Sequence, residues 1–359
     1  MPLLARTLFA PLAFDVRPGA LGQLRQILSE RSVDVHARTL VVVGPGVGHQ
    51  VRDIVHTSLP AATVLPVIGG TMRAAKALAR TLRDGHYGLA IGVGGGRIID
   101  TVKYAAGREG VPMVSVATSL AHDGIASPVS VLQRRGRSVS LGTHIPVATI
   151  VDIDFVLRSP VQQTRSGIGD VVSNLCAVAD WELDHQVNGA VLDGLAVSLA
   201  GTAAQAVLTH PGDLKDADFV TTLAHSLMLS GVAMSIAGSS RPCSGGCHEI
   251  AHALTALYPG SGTHGEQVAL GALFCTWLRG DRRLFNDLYA TLRRHGLPCR
   301  PADLGLTAEQ FAEAVTLAPR TRPGRYTILE HLDLDPSAIA GRLTDYLDDL
   351  HDMTNRSTE

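Results

Sequence analysis

Apolar positions in the first 160 residues come in short unbroken runs, and each run gives way to a stretch with helical spacing. Residues 39–43 form one such run, followed by 62–68, 87–91, 112–116 and 148–152. Runs of this length, bounded by Gly and Pro, predict buried strands. Between them, Leu21, Leu24, Ile27 and Leu28 share one face of a helix that follows the turn Arg17-Pro18-Gly19. A second helix is predicted from Thr71 to about Asp84, and Ile98, Ile99, Val102, Ala105 and Ala106 predict a third that ends at Gly107. Residues 129–133 and 138–141 read as a hairpin around Arg134-Arg135-Gly136-Arg137. Strands that alternate with helices imply a parallel α/β sheet with its ligand site at the C-terminal ends of the strands. After Arg158-Ser159-Pro160 the texture changes. The periods become helical, with helices predicted near 164–185, 189–208, 215–237, 246–257, 265–278, 281–294 and 308–318. Asp335-Pro336 opens a last helix to about Asp352. The expected organisation is an α/β Rossmann-like N-terminal domain over 1–160 and an all-α C-terminal domain over 161–359.

The chain has 359 residues, 45% hydrophobic and 18% charged, which is ample for two cores. A formal charge of -2 leaves no basic surface for nucleic acid. Five cysteines, an odd count without framework spacing, suit a reducing cytoplasm. No charged segment followed by a long apolar run marks a signal peptide at the N-terminus. The longest apolar region, 227–238, is interrupted by Ser230 and Ser235 and reads as a buried helix too short to span a membrane. A soluble cytoplasmic protein is expected, with no membrane insertion.

Chemistry concentrates in a few places. Gly92-Val93-Gly94-Gly95-Gly96-Arg97-Ile98-Ile99-Asp100 sits on a strand-to-helix turn. Successive glycines let a phosphate approach the backbone, and the helix behind them aims free N–H groups and its positive dipole end at that spot. Gly44-Pro45-Gly46-Val47-Gly48 is a second glycine-rich turn, weaker because it lacks the dinucleotide spacing. In the helical half, His248-Glu249-Ile250-Ala251-His252 matches H-E-x-x-H, in which two histidines one turn apart hold zinc and Glu249 serves as base. The residues that follow offer no third ligand. Cys243-x-x-x-Cys247-His248 lacks a second ligand pair, so two buried thiols are expected there. A further constellation is Asp170, His248 and His264, with Asp170 in an expected helix start and His264 in a turn opening a helix. Two histidines and a carboxylate suit a catalytic zinc with an open position. An N-cap aspartate and core histidines fit the same spacing, which does not choose between them.

The glycine turn and Val116-Ala117-Thr118-Ser119-Leu120-Ala121-His122-Asp123-Gly124-Ile125-Ala126-Ser127-Pro128 resemble the sn-glycerol-1-phosphate dehydrogenases. These belong to the superfamily of dehydroquinate synthases, glycerol dehydrogenases and iron-type alcohol dehydrogenases. The residues around Asp170, Arg241-Pro242-x-Ser244-Gly245, His264-Gly265-Glu266-Gln267-Val268 and Arg325-Tyr326-Thr327-Ile328-Leu329-Glu330-His331 match in the same order. The resemblance covers nearly the whole chain and implies a dehydroquinate synthase-like fold. It implies that Asp170, His248 and His264 bind one Zn²⁺ per subunit, and that Asp123, Asp170 and His252 contact substrate, with His252 and Asp123 catalytic. It implies NAD(P)(H) contacts at Gly94, Gly95, Gly96, Arg97, Ile98, Ile99 and Asp100, at Thr118, Ser119, Leu120 and Ala121, and at Ser127. Glu249 then becomes a bystander. Three positions depart from the family pattern: Arg97 stands for lysine, Ala121 for serine and Cys247 for glutamate.

The expected activity is zinc-dependent, NAD(P)H-linked reduction of a phosphorylated ketone, dihydroxyacetone phosphate to sn-glycerol 1-phosphate, in a homo-oligomer. The alternatives are reduction of another small phosphorylated ketone or aldehyde, a zinc peptidase, and a metal-free nucleotide-binding regulator.

Overall fold

Strands covered on both faces read as continuous Val/Ile/Ala runs, and the central strands of this protein do so. In the computed structural model, which describes residues 10–45 and 48–356, the strands are β1 (Ala13–Arg17), β2 (Thr39–Val43), β3 (Thr63–Pro66), β4 (Leu89–Gly94), β5 (Met113–Ala117), β6 (Val129–Arg134), β7 (Arg137–Gly142) and β8 (Ala148–Asp152). Among the described residues, six of these form one parallel sheet in the order β1-β8-β5-β4-β2-β3. β2, β4, β5 and β8 are buried at every position. β6 and β7 form a separate antiparallel hairpin.

The edge strand β1 is absent from the sequence reading, whose first element is the turn Arg17-Pro18-Gly19. Its side chains are only partly buried, and its pairing partner β8 lies more than a hundred residues away. Neither a local run nor a nearby partner marks it.

Contacts divide the chain into two units: residues up to Thr164 with Leu214–Ser239, and Arg165–Asp213 with Ser240–Glu359. The helix Ala217–Ala237 therefore packs within the first unit, on the turn Asp123–Ile125 and on β1, although it follows the expected boundary at 160. It has 21 residues, longer than the apolar run suggests, and meets the length and composition of a membrane span. With 61% of its most apolar window buried inside the protein, it is a core helix here.

The second unit contains no strand among its described residues. Its core is tied by rings. Phe274 meets Phe311 and Tyr346 edge-on at 5.5 and 5.3 Å between centroids. Tyr346 also donates its hydroxyl to the Cys299 carbonyl at 2.6 Å, which anchors the last helix, Pro336–Arg356. The helix expected over 164–185 is two helices, Val161–Val172 and Asn174–Asn188, separated at Ser173.

Candidate functional site

In the first unit, the chain leaves β2 toward β3 on one side of the sheet and leaves β4 toward β5 on the other. The ends of β2 and β4 thus form the topological switch point, where open α/β sheets bind ligands. Both glycine turns sit there, although Gly46 and Val47 of the first lie outside the described residues. The second leads into the helix Gly96–Glu109, whose N-terminus no side chain caps. Gly94 takes φ +155°, and a Cβ at Gly96 would lie 2.2 Å from His122 Nε2. Thr118 N–H donates to the Gly94 carbonyl at 3.1 Å, so the segment of Thr118, Ser119, Leu120 and Ala121 lies beside the turn.

The expected dinucleotide contacts separate by burial. Arg97 is exposed and Gly95 and Gly96 are half-buried, whereas Ile98, Ile99, Asp100 and Ser127 face the interior. Asp100 accepts from Val131 N–H at 3.1 Å and pairs with the buried Lys103 at 3.4 Å. Lys103 donates to the carbonyls of Gly124 and Ser127 at 2.6 and 3.0 Å, which fixes the turn carrying Asp123. His122 Nδ1 accepts from Gly124 N–H at 3.0 Å and steadies the same turn.

In the second unit, Asp170, His248 and His264 come together from three helices, with donor atoms all within 4.8 Å of one another. Asp170 Oδ1 lies 3.7 Å from His248 Nε2 and 3.8 Å from His264 Nε2. Tetrahedral donors about 2.1 Å from a zinc ion stand about 3.4 Å apart, so two imidazole nitrogens and a carboxylate oxygen at these spacings fit a divalent cation. Asp170 is not at a helix start as expected. It occupies the last turn of Val161–Val172. His264 opens His264–Leu278, where Thr263 and Glu266 form a capping box.

Close backbone approach sets this spacing. A Cβ at Gly265 would lie 1.8 Å from the Ser166 carbonyl oxygen, and one at Gly169 would lie 2.1 Å from the Gly265 carbonyl oxygen. Each glycine adjoins one of the three donors in sequence, so the absence of two methyl groups lets the Asp170 and His264 helices touch. The helix of His248, Gly246–Leu257, is pinned from below by Asp180. That buried carboxylate accepts from Gly246 N–H at 2.8 Å and Ile328 N–H at 2.7 Å and pairs with Arg279. The sequence reading passed over Asp180, whose one signal is a carboxylate inside the apolar stretch Cys176-Ala177-Val178-Ala179. Cys247 Sγ lies 3.4 Å from His248 Nδ1, so a thiol adjoins the ring nitrogen that faces away from Asp170. Cys243 and Cys247 are both buried thiols outside any disulfide, as expected.

His252, one turn beyond His248, has its ring 6.4 and 6.5 Å from those of His248 and His264. Burial first, then repulsion from His248, Arg322, His264 and Arg325, pushes its pKa down to about 2, so it is neutral. Glu249 is fully buried. Its Oε2 accepts from Thr327 Oγ1 at 3.3 Å, and burial followed by repulsion from Glu330 and Asp180 pushes its pKa up to about 9. A protonated carboxyl held by Thr327 is no general base at neutral pH, which removes the physical basis of the peptidase reading.

The chain matches the family model of iron-containing alcohol dehydrogenases over residues 15–160. It is 38% identical over 327 residues to a glycerol-1-phosphate dehydrogenase [NAD(P)+] of Hyperthermus butylicus, covering 89% of this chain and 92% of that one. It is 35% identical over 305 residues to the enzyme of the same name from Thermococcus kodakarensis, covering 83% and 86%. The glycerol dehydrogenase structure from Schizosaccharomyces pombe superposes with a TM-score of 0.78 at 21% identity, over 98% of this chain and 93% of that one, and so shares its fold. At these identities over most of its length, the chain belongs to the NAD(P)-dependent glycerol-1-phosphate dehydrogenases.

Proposed function

We propose that this protein reduces dihydroxyacetone phosphate to sn-glycerol 1-phosphate with NAD(P)H, using one zinc ion held by Asp170, His248 and His264. The observation that carries this reading is the convergence of three donors of catalytic-zinc type from separate helices, with Asp170 Oδ1 3.7 and 3.8 Å from two imidazole nitrogens. Bound there, zinc would act as Lewis acid toward the ketone oxygen while the dihydronicotinamide supplies the hydride.

The chain's own groups bind, orient and move the proton. Asp170 and the two imidazoles hold only one negative charge among them, which leaves the site electrophilic. Neutral His252 presents one N–H and one lone pair, so it acts as a relay: one nitrogen gives its proton to the reduced oxygen while the other takes a proton from solvent water, and the ring stays neutral overall. Asp123 accepts a substrate hydroxyl from a turn that Lys103 and His122 hold in place. Gly94, Gly95, Gly96 and Arg97 receive the pyrophosphate at the helix N-terminus. Five buried thiols, none in a disulfide, suit work in a reducing cytoplasm.

The test is the metal content of four purified variants beside their rates. Asp170→Ala, His248→Ala and His264→Ala should each lose zinc and turnover together. His252→Ala should keep about one zinc per chain while turnover falls steeply. Full zinc in His264→Ala or Asp170→Ala, with loss in His252→Ala, would show the ligand set to be wrong.

A further inference from the structure

Gly95 and Gly96 lack a methyl group, and in both cases a polar side chain takes its room. A Cβ at Gly95 would lie 2.8 Å from Ser119 Oγ, and one at Gly96 would lie 2.2 Å from His122 Nε2. The His122 ring meets Gly96 with that nitrogen leading, because its neighbours Cε1 and Cδ2 lie farther from the same point, at 2.9 and 3.2 Å. The two glycines therefore do more than open the backbone to a ligand. They admit two side chains from the loop after β5 to the start of the helix Gly96–Glu109.

The turn that follows places the proton on the His122 ring. Nδ1 accepts from Gly124 N–H at 3.0 Å. An imidazole nitrogen that accepts holds a lone pair, so the ring proton sits on Nε2. Among the described residues, Nε2 has no hydrogen-bond partner, and the ring is half-buried. Gly124 also crowds the ring from its other edge, since a Cβ there would lie 2.3 Å from Cε1. The turn itself is rigid. Lys103 holds the carbonyls of Gly124 and Ser127, and Thr149 Oγ1 donates to the Ile125 carbonyl at 3.3 Å. An N–H fixed in this way binds without first losing side-chain freedom. It faces a helix start that no side chain caps, where the first N–H groups and the positive dipole end already favour an anion. Hydrogen bonds to charged phosphate oxygens are stronger than neutral ones.

We infer that His122 is a cofactor-binding residue whose Nε2–H, set by Gly124 and admitted by the bare Gly96, donates to the pyrophosphate of the dinucleotide. This rests on the proposed placement of the pyrophosphate at the glycine turn. Consecutive residues then serve the two ligands, with His122 on the cofactor and Asp123 on the substrate hydroxyl.

The experiment measures binding by calorimetry on full-length wild-type protein, His122→Ala, His122→Gln, Gly96→Ala and the double variant Gly96→Ala/His122→Ala. The probes are NADH, 5′-ADP, which keeps the pyrophosphate, and adenosine, which lacks it. In His122→Ala the affinities for NADH and ADP should fall about 10- to 100-fold, the range of a lost hydrogen bond to a charged group, while adenosine binding stays unchanged. His122→Gln keeps an N–H donor and should recover part of the loss. Gly96→Ala should lose ADP affinity by displacing the ring, and the double variant should lose little more than His122→Ala, because the ring that the methyl would strike is gone. Thermal unfolding identifies any variant that fails to fold. Wild-type ADP affinity in folded His122→Ala overturns the assignment, as does an equal loss on adenosine. If ADP affinity is unchanged in His122→Ala but falls in the double variant, the pyrophosphate still lies at the turn and only the role of His122 falls. If it is unchanged in every variant, the placement of the pyrophosphate falls as well.

Discussion

Replacing Gly265 by alanine should damage the proposed zinc site without altering any of its three donors, Asp170, His248 and His264. The added Cβ would lie 1.8 Å from the Ser166 carbonyl oxygen, which belongs to backbone and cannot swing aside. A carbon and an oxygen approach no closer than about 3.3 Å, so the two segments must part by about 1.5 Å. Metal sites tolerate about 0.2 Å in each bond, so even a fraction of that movement transmitted to His264 or Asp170 disrupts the donor set. Overpacking of this kind costs about 1–3 kcal/mol in fold stability. Zinc affinity should fall at least about 10- to 100-fold, the range seen when support for a ligand is lost. A 100-fold loss removes about 2.7 kcal/mol of zinc-dependent stabilisation at a fixed zinc concentration. The assay is zinc competition against a chromophoric chelator, with urea unfolding of the apo and zinc-loaded forms. Gly201→Ala serves as control, because a Cβ there meets nothing within 4 Å in the helix Gly194–Thr209. It should leave zinc binding alone and add up to about 1 kcal/mol through helix propensity. Gly265→Ala with wild-type zinc affinity and wild-type stability would refute the claim that this crossing sets the donor spacing.

Glu249→Gln should keep most dehydrogenase activity, because the carboxyl is already protonated near neutral pH; a peptidase activity abolished by the same change would reinstate the zincin reading. Lys103→Met should cost about 3–5 kcal/mol in urea unfolding, since it leaves Asp100 buried without its cation and frees two carbonyls; a change below about 1 kcal/mol would contradict this. His295 is pushed down to about 4 by burial, then by Arg294. The unfolded chain therefore binds its proton more readily below about pH 6.5. The contribution is full above that pH and is lost as pH falls toward 4, by about 3 kcal/mol at most. His295→Gln should flatten that slope in unfolding measured from pH 7 to 4.5, and an unchanged slope would refute it. The loop after β3, Val67-Ile68-Gly69-Gly70-Thr71, offers no carboxylate to repel a 2′-phosphate; NADPH should serve at least as well as NADH in steady-state kinetics, and a strong NADH preference would count against this.

Much of the architecture was legible along the chain. Residues 39–43 and 148–152 are bounded as read, because strands buried on both faces advertise themselves as unbroken apolar runs. The glycine turn was equally plain, since a close approach of ligand to backbone demands residues without a Cβ. β1 was hidden because it is only partly buried and its partner is distant in sequence. The grouping of the helix Ala217–Ala237 with the first unit was hidden because helical periodicity says which face is apolar and not which surface it meets. The resemblance named Asp170, His248 and His264, but their spacing in the chain did not choose between ligands and ordinary helix residues. Only the tertiary structure gathers them, where backbone contact at Gly169 and Gly265 and the buried carboxylate of Asp180 bring three helices, and these three donors, to one point. H-E-x-x-H shows the converse. Sequence places Glu249 beside His248, and only packing turns it inward to Thr327, where burial raises its pKa to about 9.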